Sequence, residues 1–258
     1  MKGFLKAFLK KDLTMIELFD SLKGEFCIQR LQNGKVIDEF KDHNYIMVSA
    51  RKSVSEIFVG ANKRRISRLI LGTAGYLGDT YNPITEANGF SRSRECLYSN
   101  STVLKDFGNT VTLKTGEIVK INNAYYQAKE YGVNTYTLND STLATKFNVL
   151  NSEPYTVEIP IRQYTESVFN GDINYSSKTD CGAFVKYSTA AGNTTVEYTF
   201  EIGSSVGNDQ FITPSGSNYS LINEAAIFVN NRIFCMKCFP SKLKDDSTTL
   251  KIIWKIIF

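Results

Sequence analysis

Hydrophobic positions along this chain change period, and each change predicts a different element. Near the start, Phe4, Leu5, Phe8, Leu9, Leu13, Ile16 and Phe19 recur at helical spacing and form one broad stripe. Residues 1–22 are therefore expected to be an amphipathic helix. Lys6, Lys10 and Lys11 interrupt its apolar runs, which argues against a signal peptide. Asp12, Glu17 and Asp20 break up a purely basic face, so docking on a protein surface is expected rather than on a membrane.

After Gly24 the period shortens toward two. The runs 25–31 and 35–40 flank Asn33-Gly34, a pair that supplies the positive φ angles of a tight hairpin turn. Helical spacing returns in Ile46, Met47, Ala50, Val54, Ile57 and Phe58, with Asn44 as the expected N-cap and Gly60 as the stop. The strand-like run "ISRLILG" leads into "GTAGYLGD". That turn lacks the Lys-Ser/Thr pair of a phosphate-binding loop. Residues 83–170 mix polar, Asn- and Thr-rich stretches with short β-prone runs and read as an insertion, with a turn at Thr115-Gly116. Within it, "NAYYQAKEYGVNTYTLND" fits a short helix, though its tyrosines suit strands as well. The last third is β throughout. In the closing run, Leu250, Ile252, Trp254, Ile256 and Phe258 point to one side, while Lys251, Ile253, Lys255 and Ile257 point to the other. The first set belongs in a core. The second suits a surface partly covered by a neighbour.

Composition narrows the chemistry. A chain of 258 residues can bury a large core without a disulfide or metal staple. The formal charge of +4 is too small to argue for nucleic acid, and the basic triplet Lys63-Arg64-Arg65 has no aromatic residues interleaved with it. No apolar run is long enough to cross a bilayer. The single histidine, His43, removes most histidine-based catalysis. Five cysteines, an odd number, suggest buried thiols in a reducing cytoplasm. Cys235 and Cys238 have the spacing of half a zinc site, but residues three apart in a strand project to opposite faces. On a regular strand, Ile233, Cys235, Lys237 and Phe239 would share one side and Phe234, Met236 and Cys238 the other. No metal or other cofactor is expected. Glu224, ahead of an apolar run, is expected to cap backbone amides or pair with a lysine rather than to act as an acid catalyst.

Three stretches carry a resemblance by their order: "KDHNYIMVSA" (Lys41–Ala50), "ISRLILGTAG" (Ile66–Gly75) and "INEAAIFVNNRIFCMKCFPSKLKDDSTTLKIIWKIIF" (Ile222–Phe258). Their sequence resembles the layout of tailed-bacteriophage virion proteins of the tail, baseplate and neck. In those proteins an opening hairpin, an "NxI" helix start, a strand ending in "GTG" and a late "EAGLF…LTIxWxIxF" ending follow one another. Here "GTAG" replaces "GTG", and Ala226 stands where glycine is usual.

Pattern and resemblance together predict a mainly β protein: an antiparallel β-sandwich built from residues 23–82 and 171–258, one helix after the first hairpin, and the insertion. The resemblance implies a non-enzymatic structural protein of the virion, made in the host cytoplasm. It would assemble with copies of itself and with other virion proteins in a ring or collar. The expected contact regions are Phe4–Phe19 and the face of Lys251, Ile253, Lys255 and Ile257. The alternative is a glycan-binding tail module that uses rings such as Tyr125, Tyr126, Tyr131 and Tyr136.

Overall fold

The structure is a computed structural model that describes residues 22–58, 66–78, 82–160, 165–169, 172–177, 181–190 and 193–257. The predicted hairpin forms from β1 (Lys23–Gln32) and β2 (Lys35–His43), with Asn33 and Gly34 at φ 50° and 73° in its turn. Next come β3 (Tyr45–Ile46), helix α1 (Val48–Phe58), β4 (Ile66–Gly72), β5 (Tyr76–Leu77) and β6 (Asn82–Pro83). The middle of the chain holds β7 (Val103–Leu104), β8 (Thr110–Lys114), β9 (Ile118–Ile121), β10 (Ala124–Ala128), β11 (Val133–Thr137), helix α2 (Asp140–Lys146) and β12 (Phe147–Leu150). It is followed by β13 (Thr156–Pro160), β14 (Thr165–Phe169), β15 (Asp172–Ser177), β16 (Cys181–Ala190) and β17 (Asn193–Ile202). The chain closes with β18 (Phe211–Ile212), β19 (Asn218–Val229), β20 (Arg232–Asp245) and β21 (Thr249–Ile257).

Two antiparallel sheets carry the predicted sandwich. One runs β14-β15-β16-β17-β21-β1-β2; the other runs β13-β4-β19-β20-β3, with β18 beside β19. The core between them draws Phe26 and Ile28 from β1, Phe200 and Ile202 from β17, and Leu250, Ile252, Trp254 and Ile256 from β21. Facing them are Leu69 and Leu71 of β4, Ile222, Ala225 and Ile227 of β19, and Cys235 and Phe239 of β20. Trp254 is fully enclosed and meets Phe26 edge-on at 5.0 Å, and Phe26 stacks on Phe239 at 5.2 Å. Each such side chain contributes about 1.5–3 kcal/mol through burial.

The second sheet is buried on its far side too. Ile70, Ala226, Phe228, Ile233, Met236 and Cys238 pack there against Ile84, Phe90, Leu97, Tyr98, Ile118 and Tyr125 of the middle segment. That segment has its own small core between β8, β9, β10, β11, β12 and α2, including Val111, Leu113, Ile121, Leu138 and Phe147. The molecule thus has three layers, and the central sheet is buried from both sides.

Several expectations change in detail. The division at residue 170 moves: β13 pairs with β4 in the central sheet and β14 ends the seven-stranded sheet, so both lie in the sandwich, upstream of the expected resumption. Asn44 does not cap the helix. Tyr45 and Ile46 first pair with Met236 and Cys235, so α1 starts only at Val48, and the Asn44 side chain packs on Gly24 instead. On β20, a bulge opposite Ile227/Phe228 shifts the alternation, so Phe234 and Cys235 both face the sandwich core while Ile233 faces the middle layer. The tyrosine-rich stretch takes the strand option rather than the helical one: its residues form β10 and β11, and α2 follows with Asn139 as its cap, accepting from the Thr142 amide at 2.9 Å. Among the described residues no helix is long and apolar enough to cross a membrane.

Candidate functional site

The predicted contact face of the last strand lies on the outside of the seven-stranded sheet. Strand alternation sends Leu250, Ile252, Trp254 and Ile256 inward and leaves Lys251, Ile253, Lys255 and Ile257 outward and half-buried. The lysines do not stand alone there. Lys255 Nζ is 3.5 Å from Glu25 of β1 and 3.6 Å from Glu197 of β17, the strands on either side of it. Lys251 is 3.5 Å from Glu201. Lys255, Ile253, Glu25, Glu197, Cys27 and Lys41 line a groove of about 590 Å³ on this face. The pairs are partly exposed, so each stabilises the fold by less than about 1 kcal/mol. Their effect is to leave a mixed apolar and charged surface whose lysines are already matched.

The expected contact residues Phe4, Leu5, Phe8, Leu9, Leu13, Ile16 and Phe19 lie outside the described residues, as do Lys63-Arg64-Arg65 and Phe258.

Glu224 is the other candidate, and its surroundings define its role. The side chain is fully buried midway along β19, opposite Gly72 at the end of β4. Its carboxylate accepts the amides of Tyr98 at 2.9 Å and Ser99 at 2.8 Å, together with the Ser99 hydroxyl. Ser99 Oγ in turn accepts the amides of Thr73 at 2.8 Å and Ala74 at 3.0 Å. Asn223 joins the network: its Oδ1 accepts from Gly75 N at 2.8 Å, and its amide nitrogen donates to Thr73 O at 3.1 Å. Burial pushes the Glu224 carboxyl above its ordinary range, while the hydrogen bonds from Ser99 and Tyr98 and the nearby Arg94 guanidinium oppose that rise. Both oxygens are occupied in holding the middle layer onto the central sheet. Glu224 thus caps backbone amides, one of the two roles expected of it.

Cys235 and Cys238 project to opposite faces, the first into the sandwich core and the second toward the middle layer. Both thiols are wholly buried, and burial pushes them well above the ordinary cysteine range. Among the described residues, no three His, Cys, Asp or Glu side chains gather closely enough to hold a metal ion. The tyrosines considered for glycan stacking separate as well. Tyr125 packs under the central sheet, Tyr136 meets Phe147 at 4.8 Å inside the middle layer, and Tyr131 is exposed.

Sequence reasoning missed three lysines of β20. The Lys237 and Lys242 side chains are only 3% and 6% exposed, and they reach Asp42 at 2.6 Å and Asp38 at 2.8 Å on β2. Lys244, fully buried, donates to Asn208 Oδ1, Ser204 O and Asp245 O. The stretch "KCFPSKLKD" reads locally as a solvated strand end. The one available signal was that Lys237 interrupts the otherwise apolar run of residues 233–239.

No family model, curated protein or solved structure matches this chain. A functional reading therefore rests on its own residues.

Proposed function

We propose that this chain is a structural protein of a tailed-bacteriophage virion, in the tail, baseplate or neck, where copies assemble with one another and with neighbouring virion proteins. The observation that carries this reading is where the three resembling stretches lie. Far apart in sequence, they supply β3, β4, most of β19, and β20, four consecutive strands of one sheet, and the second and third stretches meet where Asn223 Oδ1 accepts the Gly75 amide. The shared residues form a scaffold that grips a middle layer, and their most buried carboxylate holds backbone amides. The outer face of the seven-stranded sheet suits assembly physically. Its lysines are matched by Glu25, Glu197 and Glu201, so a covering neighbour leaves no unpaired charge buried.

An antibody against the chain, applied by immunogold electron microscopy to particles from the genome that encodes it, should decorate one fixed level of the tail or neck. Signal confined to the soluble lysate, with bare particles, would refute the reading.

A further inference from the structure

Building on that assembly reading, we infer that two copies of this chain join edge to edge through β2, pairing antiparallel with their own kind about Phe40. β2 ends the seven-stranded sheet, and among the described residues no strand pairs along its outer side. Such an edge is a ready template for another strand. Its faces are unambiguous. Asp38 and Asp42 turn toward the central sheet to meet Lys242 and Lys237, and Phe40 packs over Phe239. Glu39, Lys41 and His43 therefore point outward, while Ile37 is the extra residue of a bulge where the register with β1 shifts between Arg30 and Leu31.

Side-chain direction restricts how two such edges can pair about a two-fold axis. Residues directly opposite must project to the same side of the joined sheet, so the axis passes through a residue position. An axis at Glu39 sets the two Glu39 carboxylates against each other, and an axis at Lys41 does the same to the two lysines. Like charges directly opposite are destabilising. An axis at Phe40 places Glu39 opposite Lys41 of the second copy, and Lys41 opposite its Glu39. On the inner side, Asp38 falls opposite Asp42 of the second copy, but each already has its own lysine at 2.8 and 2.6 Å. Within one chain, Glu39 already pairs with Lys41 at 2.7 Å and accepts from Gln29 Nε2 at 2.5 Å, and joining exchanges the Lys41 contact for the same contact across the seam.

The test is a charge swap on the full-length chain, with self-association measured by sedimentation and multi-angle light scattering. The wild type should form dimers or larger assemblies that weaken as salt rises. Glu39→Lys alone and Lys41→Glu alone should each weaken association about tenfold or more, because two attractive pairs become repulsive. The double variant Glu39→Lys/Lys41→Glu restores opposite charges in the same register and should regain association close to the wild type. Both side chains are exposed, so melting curves should be little changed, and either single variant suffices should the other fail to fold. Assemblies indifferent to all three variants would overturn the β2 pairing and leave the assembly reading standing, joined through another surface. A monomer at every concentration would overturn both.

Discussion

Gly72→Ala is the sharpest test of how the layers are joined. Gly72 ends β4 beneath the Glu224 network, in ordinary extended backbone, so φ alone would permit alanine. Space does not. A Cβ at Gly72 would lie 2.5 Å from Glu224 Oε1 and 2.6 Å from Ser99 Oγ, well inside contact distance. Neither atom can yield cheaply: the Ser99 oxygen serves the amides of Thr73 and Ala74, and Glu224 holds those of Tyr98 and Ser99. Overpacking costs roughly 1–3 kcal/mol. Leaving one of these buried donors unpaired adds about 1–3 kcal/mol. The expected loss is thus about 3–5 kcal/mol, a large share of the ~5–15 kcal/mol that holds a typical domain folded. Gly34→Ala is the control. Gly34 has φ +73°, and nothing lies within 4 Å of where an alanine methyl would sit, so only backbone strain of about 1–2 kcal/mol applies. Urea denaturation would give the two stabilities, and hydrogen exchange would locate the damage, which should fall on the amides of residues 73–75 and 98–99. If Gly72→Ala proves no costlier than Gly34→Ala, the close approach of β4 to Glu224 is not what joins the layers.

Asp42→Asn should destabilise the protein by about 1–2 kcal/mol at neutral pH, because it removes the charge facing the buried Lys237 ammonium, though Asp42 itself is half exposed. Burial disfavours the Asp42 carboxylate, but the hydrogen bond from Lys237, then the His43 amide, outweigh it and hold the pKa below the usual range. A depressed carboxyl pKa contributes stability above its unfolded value and loses it as pH falls through the folded one, so denaturation midpoints of the wild type should drop in acid more steeply than those of the variant. For the thiols, iodoacetamide followed by peptide mass spectrometry should label Cys235 and Cys238 only after denaturation. Rapid labelling of Cys235 in the native protein would contradict its place in the core.

What the sequence revealed depended on how local the physics was. The turn at Asn33-Gly34 follows from two residues, and Asn230 at φ 54° turns β19 into β20 in the same way. Strict alternation correctly sorted the last strand into core and outer face, and put the two cysteines of β20 on opposite sides. The rest of β20 was harder, because the bulge at Phe234 arises from pairing with β19 and leaves no mark in composition. The helix start was missed for a related reason: Tyr45 and Ile46 have the periodicity of α1, but their backbone is claimed by β20. The buried lysines were least legible. Lys237 and Lys242 meet aspartates 195 and 204 positions away, a separation that no local window spans.

The middle segment shows how two signals, read separately, can hide one conclusion. Its strands are short, and its tyrosines suit loops, strands or a binding face, so it resembled an insertion. Yet β19 and β20 carry the near-continuous apolar runs "EAAIFV" and "RIFCMKCF", in place of the alternation of a half-exposed antiparallel sheet. A sheet apolar on both faces needs two partners. The seven-stranded sheet supplies one, so the other must come from the rest of the chain or from a neighbour. Residues 84–150 are that partner, held at their base by Glu224 and Ser99. With the central sheet enclosed from both sides, its apolar strands are spent on the chain's own packing. On the assembly reading proposed above, the surface left for a neighbour among the described residues is then the outer face and β2 edge of the seven-stranded sheet, where the lysines are matched by glutamates.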